Sequence, residues 1–331
     1  MDLFDVLRAG LSSAFGPYAI MLALAAIGLN VHFGYTGLLN FGQAGFMAVA
    51  GYGMAVSVTV MGLPFGVGLV VALIAPIVLA LLLGAPTLRL RADYLAIATI
   101  AAAEILRLIF GSVQLADTLG GTDGLTGYAG TFQSWNPYDS GLDLGIISFR
   151  RAELWSITVG WIAIGLSVLL VWLLMRSPWG RVLKAIREDE EAVRSLGKNV
   201  FAYKMQALVL GGFFGGLAGL FLALHQASVV PTDYETVVTF FAYTALLIGG
   251  AARVWGPVIG AVIFWFLVRS LGTLFGQMTS GADPLMPEWL MTDIQSGLVR
   301  YILAGLGLML LMIFRPQGIF GDRKELAIDG R

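Results

Sequence analysis

The 331-residue chain is 58% hydrophobic and only 12% charged, with a net charge of −1 and no cysteine. A soluble domain carries about a quarter charged residues, so this sequence has little water-facing surface to cover. Near-neutral charge argues against a nucleic-acid partner, the lack of cysteine excludes disulfides and thiolate metal sites, and His32 and His225 cannot make a His-rich site by themselves.

The charges cluster and leave apolar stretches of about twenty residues, the length that crosses a bilayer as a helix. Lipid offers the backbone no hydrogen-bond partners, so such stretches must be helical. A β-barrel would show alternating segments of about ten residues, whereas the runs here are continuous. The expected fold is therefore all-α. It is a polytopic membrane bundle forming one transmembrane domain over 1–314, followed by a cytoplasmic tail, 315–331. Residues 1–16 do not read as a cleaved signal. Asp2 and Asp5 stand where a basic start is expected, and the apolar run after Arg8 continues into a full span.

In chain order the spans fall at 14–31, 41–61, 65–84, 94–111, 153–175, 205–227, 236–251, 257–276 and 296–314, which makes nine, with eight and ten as the bounds. The ambiguous stretch is 30–46, Gly-rich and polar between two apolar runs. It is either a cytoplasmic turn or a broken, re-entrant piece at membrane depth, which is tolerated only inside protein or along a water-filled cavity. The second reading changes the span count by one and flips the N-terminus. Within this stretch Asn40 and Gln43 need hydrogen-bond partners. They serve as helix–helix glue or line a pathway.

Glu104 and Arg107 are three residues apart in the fourth span and share a face. A structural ion pair with Arg107 reaching toward the outer end is the favoured reading, and a place along a substrate path is the functional one. The polar stretch 112–152 contains Gly120 to Gly124 with Thr122 and Asp123, read as a flexible outer loop or as a nest of N–H groups for a carboxylate. In the sixth span Gly211, Gly212, Gly215, Gly216 and Gly219 have the spacing that lets helices pack closely in lipid. Residues 277–295, with Pro284 and Pro287, form a further polar stretch. Trp135, Trp155, Trp161, Trp172, Trp179 and Trp289 read mostly as interfacial belt residues. Basic residues concentrate at 176–204 and in the C-terminal tail, and basic loops are retained in the cytoplasm. This places both inside the cell.

The charged loop 176–204 is broken from the preceding span by Pro178 and Gly180. From Arg181 to Leu196 it has a helical pattern, with Val182, Ile186, Val193 and Leu196 as the apolar set. Arg187 with Glu191, and Glu190 with Arg194, are placed to pair at i,i+4. Gly197 and Asn199 suit a helix end. Periodicity alone fits a solvated connector lying on the membrane; the alternative is a coupling helix seated in a cytoplasmic motor subunit.

At this loop, Gly180-Arg181-Val182-Leu183-Lys184-Ala185-Ile186-Arg187-Glu188-Asp189-Glu190, with Ala192 and Leu196-Gly197, resembles the cytoplasmic motif of branched-chain amino acid ABC importer permeases. Further stretches are similar to the same family, in order. They are Tyr35 to Ala44, Leu88 to Ile97 with Glu104 and Arg107, Gly120 to Leu125, Gly249-Gly250 with Trp255 to Gly260, and Arg315 to Phe320. The resemblance is to the larger of the two paired permeases. It implies a bacterial inner-membrane, multi-pass permease that pairs with a second homologous permease as a heterodimer. Two cytoplasmic ATPase subunits and an extracytoplasmic substrate-binding protein complete the importer, and an amino acid is the cargo. The chain would bind no cofactor and catalyse nothing. ATP-Mg would sit on the partner subunits, because this sequence lacks a G-x-x-x-x-G-K-[ST] phosphate loop. The resemblance assigns ATPase coupling to Gly180, Arg181, Ile186, Arg187, Glu188, Asp189, Glu190, Leu196 and Gly197. It supports Asn40 and Gln43 as candidates for the substrate pathway, beside Glu104, Arg107, Thr122 and Asp123, whose own chemistry makes them candidates. Urea, short amides and small aromatic acids are the alternative cargoes. An ion-coupled secondary transporter is the rival from another class, and an integral membrane enzyme the weakest.

Overall fold

The computed structural model describes residues 3–90, 92–145, 147–279, 293–315 and 317–321. Pro284, Pro287, Trp289, Arg91, Pro316 and the tail from 322 lie outside the described residues. The chain opens with a helix that the hydropathy reading did not separate, α1 (Leu3–Ala14). The first span then starts at Pro17, where the missing N–H and fixed φ suit a first helical position. It runs as α2 (Pro17–Leu29) and ends in a wide π-helical turn, Asn30–Tyr35. Every residue of α2 except Tyr18 is buried, as expected for a helix apolar all round at the centre of a bundle.

The other long helices are α3 (Gln43–Thr59), α4 (Phe65–Thr87), α5 (Ala92–Phe110), α8 (Arg151–Arg176), α11 (Val200–Gln226), α12 (Thr236–Gly249), α13 (Gly256–Thr279) and α14 (Asp293–Phe314). Short helices α6 (Ala116–Leu119) and α7 (Gly130–Ser134) lie between α5 and α8, and α9 (Pro178–Glu188) and α10 (Glu190–Ser195) between α8 and α11. Each expected span coincides with a helix whose ends lie within five residues of the reading. The stretches Pro17–Tyr35, Phe65–Thr87, Arg151–Arg176, Val200–Gln226 and Gly256–Thr279 are long and apolar enough to cross a membrane unaided. At 14 residues α12 is only about 21 Å long.

The core is built on α11, which packs against α2, α3 and α4. Its glycine face is what permits this. A Cβ at Gly219 would strike the backbone of Met47 on α3, and one at Gly216 would strike Pro76 on α4. The outward faces of α4 and α8 carry exposed Val70, Ile74, Leu82, Ile162, Leu166 and Leu173, the composition a lipid-facing surface requires.

The two ends of the bundle differ. At one, two small antiparallel ladders order the connections. Leu125–Thr126 (β1) pairs with Ser228–Val229 (β4), and Leu142–Asp143 (β2) with Ser148–Phe149 (β3). There Arg8 of α1 pairs with Asp143 at 3.2 Å. At the other end lie α9, α10 and residues 317–321, whose Ile319 N–H donates to the Ile248 carbonyl at 2.9 Å.

Stretch 30–46 is an irregular segment between α2 and α3, largely buried in the bundle. After Tyr35 the chain turns at Gly37, with φ +72°, and doubles back without helix over 37–42 before α3 begins beside Ala25 of α2. Thr36, Leu38, Asn40 and Gly42 are buried in protein, which is the condition for irregular backbone at membrane depth. The N-terminal helix lies at the end opposite α9.

Candidate functional site

The irregular segment carries a buried polar network. His32, Asn40 and Gln43 are each fully buried. The His32 Nε2 lies 3.0 Å from the carbonyl of Leu208. A carbonyl only accepts, so Nε2 holds the proton and Nδ1 is left as an acceptor. Nδ1 takes a hydrogen bond from Asn40 Nδ2 at 3.0 Å. The same amide nitrogen reaches Gln43 Oε1 at 3.3 Å, while Asn40 Oδ1 accepts from the Gly42 N–H at 2.9 Å. Gln43 Nε2 then donates to the carbonyls of Ala25 on α2 and Gly211 on α11, both at 3.2 Å. One chain of side chains therefore satisfies backbone groups on three elements.

Neighbouring helices complete the enclosure. Thr99 of α5 caps the Phe41 N–H at 3.0 Å, Thr239 of α12 caps the Ala44 N–H at 2.9 Å, and Tyr243 donates to the Asn40 carbonyl at 2.9 Å. Asn30 secures the lower end, donating to the Arg253 carbonyl and accepting from the Ala252 N–H, both at 2.8 Å. Gly211 must be glycine here, because a Cβ would collide with the His32 ring and the Gly28 carbonyl.

Below this network lies the charged loop, and its helix is not continuous. Asp189 sits in extended backbone between α9 and α10, and its carboxylate accepts from the Glu191 and Ala192 N–H groups at 2.9 Å. It is an N-cap. The break takes Arg187 and Glu191 out of a common helix. Arg187 stays exposed but reaches the bundle with one guanidinium N–H, which donates to the Gly34 carbonyl at 2.6 Å. The Glu190–Arg194 pair forms as read, at 2.8 Å, and Lys204 also binds Glu190. Leu183, absent from the apolar set, is buried with Ile186 and Val193, whereas Leu196 is 79% exposed. Gly180 is buried too; a Cβ there would meet the backbone of Met175 at the sharp α8–α9 corner. Gly180 and Ile186 thus position the helix, while Arg181, Glu188, Asp189, Leu196 and Gly197 lie on its exposed side. Gly197 closes α10 at φ +76° and Asn199 opens α11, accepting from the Ala202 N–H at 3.1 Å.

Residues 15–313 match the family described as branched-chain amino acid transport system / permease component. The chain belongs to this permease family. It is 29% identical to the LivM permease protein of the high-affinity branched-chain amino acid transport system of Escherichia coli K12, over 89% of this chain and 67% of that one. It is 26% identical to a probable LivM permease of Methanocaldococcus jannaschii, over 93% of this chain and 92% of that one. It is also 27% identical to the probable LivH permease of the same organism, over 78% and 82%.

The remaining candidate residues of the permease fall in two other places. Glu104 and Arg107 form the structural ion pair, with contacts of 2.5 to 3.1 Å. They lie higher on α5 than Thr99, by about 7.5 Å for Glu104. Glu104 stands beside Thr236, and Arg107 is within electrostatic reach of Glu235. Thr122 and Asp123 are exposed in the loop end. The six pathway candidates therefore do not form one cluster. Above α5 in the permease, Asp233 is half-buried near the buried Tyr128 and Tyr234. Burial raises the Asp233 carboxyl above its ordinary range, and hydrogen bonds from the Val230 backbone and the Gln226 side chain partly oppose that.

Sequence reasoning assigned His32 no role and passed over Asn30, Thr99, Thr239 and Tyr243. A signal existed for each, since a polar side chain in an apolar run needs a partner. Their convergence on one segment needed the three-dimensional arrangement.

Proposed function

We propose that this permease is one membrane subunit of an ATP-driven importer of branched-chain amino acids. It pairs with a second, similar permease and is driven by two cytoplasmic ATPase subunits, with cargo delivered by an extracytoplasmic binding protein. ATP-Mg acts on the ATPases, and this chain contributes no catalytic group. The observation that carries the reading is the α9–α10 unit. One side is locked to the bundle by Leu183, Ile186, Val193 and Arg187, and the other presents Glu188, Asp189 and a 79% exposed Leu196. An exposed leucine beside a charged rim is the composition of a docking surface. Family membership over residues 15–313 supports the amino-acid cargo, and similarity to both LivM and LivH proteins supports a paired permease.

On this reading α9 and α10 lie in the cytoplasm with the C-terminal residues, and the loop end faces outward. Arg187 joins the coupling helix to the irregular segment through Gly34, so closure of the ATPases pulls on the floor of the polar network. Asn40 and Gln43, buried and fully bonded, form a closed constriction that must rearrange for cargo to pass. Any such motion requires an effector with different affinity for the two states, and ATP is that effector.

The test combines Glu188→Lys with Asp189→Asn. Asparagine keeps the α10 cap, so the double variant reverses charge without melting the helix. It should lose copurification with the ATPase and ATP-dependent leucine uptake while inserting normally. If ATPase association and uptake both persist, the coupling assignment is wrong.

A further inference from the structure

Away from the polar network, a cavity of about 550 Å³ opens near the loop end between α1, α2, α13 and α14. Its walls include three arginines, Arg8, Arg269 and Arg300, with Tyr18, Trp265 and Tyr301. Asp5 and Glu153 also line it. Arg8 is taken by Asp143, and Glu153 accepts from the Arg150 backbone N–H at 3.4 Å. Among the described residues no carboxylate lies within ion-pair distance of Arg269 or Arg300.

Arg269 is ten residues from the last residue of α13, about 15 Å along the helix. A guanidinium inside a span is costly unless something pairs with it. Arg300 rests over the Tyr301 ring at 4.8 Å and donates to its hydroxyl at 3.3 Å, yet among the described residues its buried Nε has no partner. The buried Trp265 indole Nε1 likewise has no partner among the described residues. Both are N–H donors, so they call for an acceptor, and with Arg8 paired to Asp143 the guanidinium groups of Arg269 and Arg300 favour an anionic one against the opposing charge of Asp5 and Glu153 on the same wall. The helices beside it end in exposed apolar side chains. Phe4 and Leu7 are 52% and 51% exposed on α1, and Leu298 and Ile302 are 60% and 68% exposed on α14. An anion held in this cavity would therefore sit next to a surface suited to acyl chains.

We propose that the cavity binds the phosphodiester head group of a glycerophospholipid, with Arg269 and Arg300 on the phosphate, Trp265 Nε1 as a further donor, and the acyl chains along α1 and α14. A phosphate offers guanidinium groups planar, charge-assisted hydrogen bonds, and basic pockets between membrane helices hold such head groups. A carboxylate ligand would satisfy the donors but would leave the apolar flanks unused.

The full-length chain in detergent is titrated with phosphatidylglycerol, with diacylglycerol that lacks the phosphate, and with soluble glycerol 3-phosphate. Thermal unfolding and native mass spectrometry are the readouts. Phosphatidylglycerol should raise the Tm and remain bound, and the other two should do neither. Arg300→Gln and Arg269→Gln should each weaken lipid binding about tenfold, the effect of one charge-assisted hydrogen bond, while Arg89→Gln, near the opposite end, should not. Should the arginine variants fail to fold, Trp265→Phe removes a donor without touching charge and should still weaken binding. Equal stabilisation by diacylglycerol would mean the head group is irrelevant. Equal stabilisation by glycerol 3-phosphate would make this a free-anion site. Undiminished lipid binding in the variants would place the lipid elsewhere. Each of these results overturns the proposal.

Discussion

Replacing Asn40 with alanine tests whether the polar network holds the irregular segment in place. The Asn40 amide satisfies the Gly42 N–H at 2.9 Å and His32 Nδ1 at 3.0 Å, and makes a weaker contact to Gln43 at 3.3 Å. Truncation leaves one buried donor, the Gly42 N–H, and two buried acceptors, His32 Nδ1 and Gln43 Oε1, without that partner. Each such orphan costs about 1–3 kcal/mol, giving about 3–9 kcal/mol. Inside a bilayer the unfolded reference also finds partners, and measured interhelical bonds average only about 0.6 kcal/mol. The expected loss is therefore near the lower limit, about 3 kcal/mol. Unfolding by steric trapping in bicelles measures it directly. A double-mutant cycle with His32→Ala should show a coupling of about 1 kcal/mol, within the range for residues in one hydrogen-bond network. A loss below about 0.5 kcal/mol together with zero coupling would show that water or backbone rearrangement satisfies these groups. The network would then not be what positions the segment.

Other expectations follow the same physics. Gly211→Val should abolish folding or expel His32 from its site, because even a Cβ there collides with the imidazole and the Gly28 carbonyl; overpacking of this kind costs about 1–3 kcal/mol or more, and yield of monodisperse protein reports it. Glu104→Ala should destabilise by less than the about 2.5–3.5 kcal/mol of a lone arginine at the centre of a span, because Arg107 lies near the end of α5 and keeps Glu235 within electrostatic reach, and Arg107→Leu in the same chain should recover most of that loss, as read by thermal unfolding. Arg187→Gln should leave ATPase association intact but lower uptake relative to ATP hydrolysis, since it severs the Gly34 link and not the exposed docking face; parallel uptake and hydrolysis assays decide. Asp233 has its folded-state pKa raised by burial. Its contribution therefore favours the fold at low pH and is lost as pH rises from its ordinary value, 3.8, through the raised folded value. Asp233→Asn should raise the Tm at pH 7 and remove that part of the pH dependence.

By itself the sequence determined the class, the places of the long apolar helices and the unequal ends. These follow from composition and from the length of apolar runs, which lipid converts directly into helices. The Glu104–Arg107 pair, the glycine face of α11 and the Glu190–Arg194 pair were legible for a related reason, because helical spacing alone brings such residues together. Tertiary structure decided everything that depends on partners distant in the chain. His32 acquires its tautomer from Leu208, 176 residues away, and Asn30 bonds backbone beyond residue 250. The break at Asp189 and the reach of Arg187 to Gly34 likewise reflect contacts that the local charge pattern did not encode. Hydrophobic periodicity reports burial along one helix, but a polar atom's partner is chosen by where the other helices put their carbonyls.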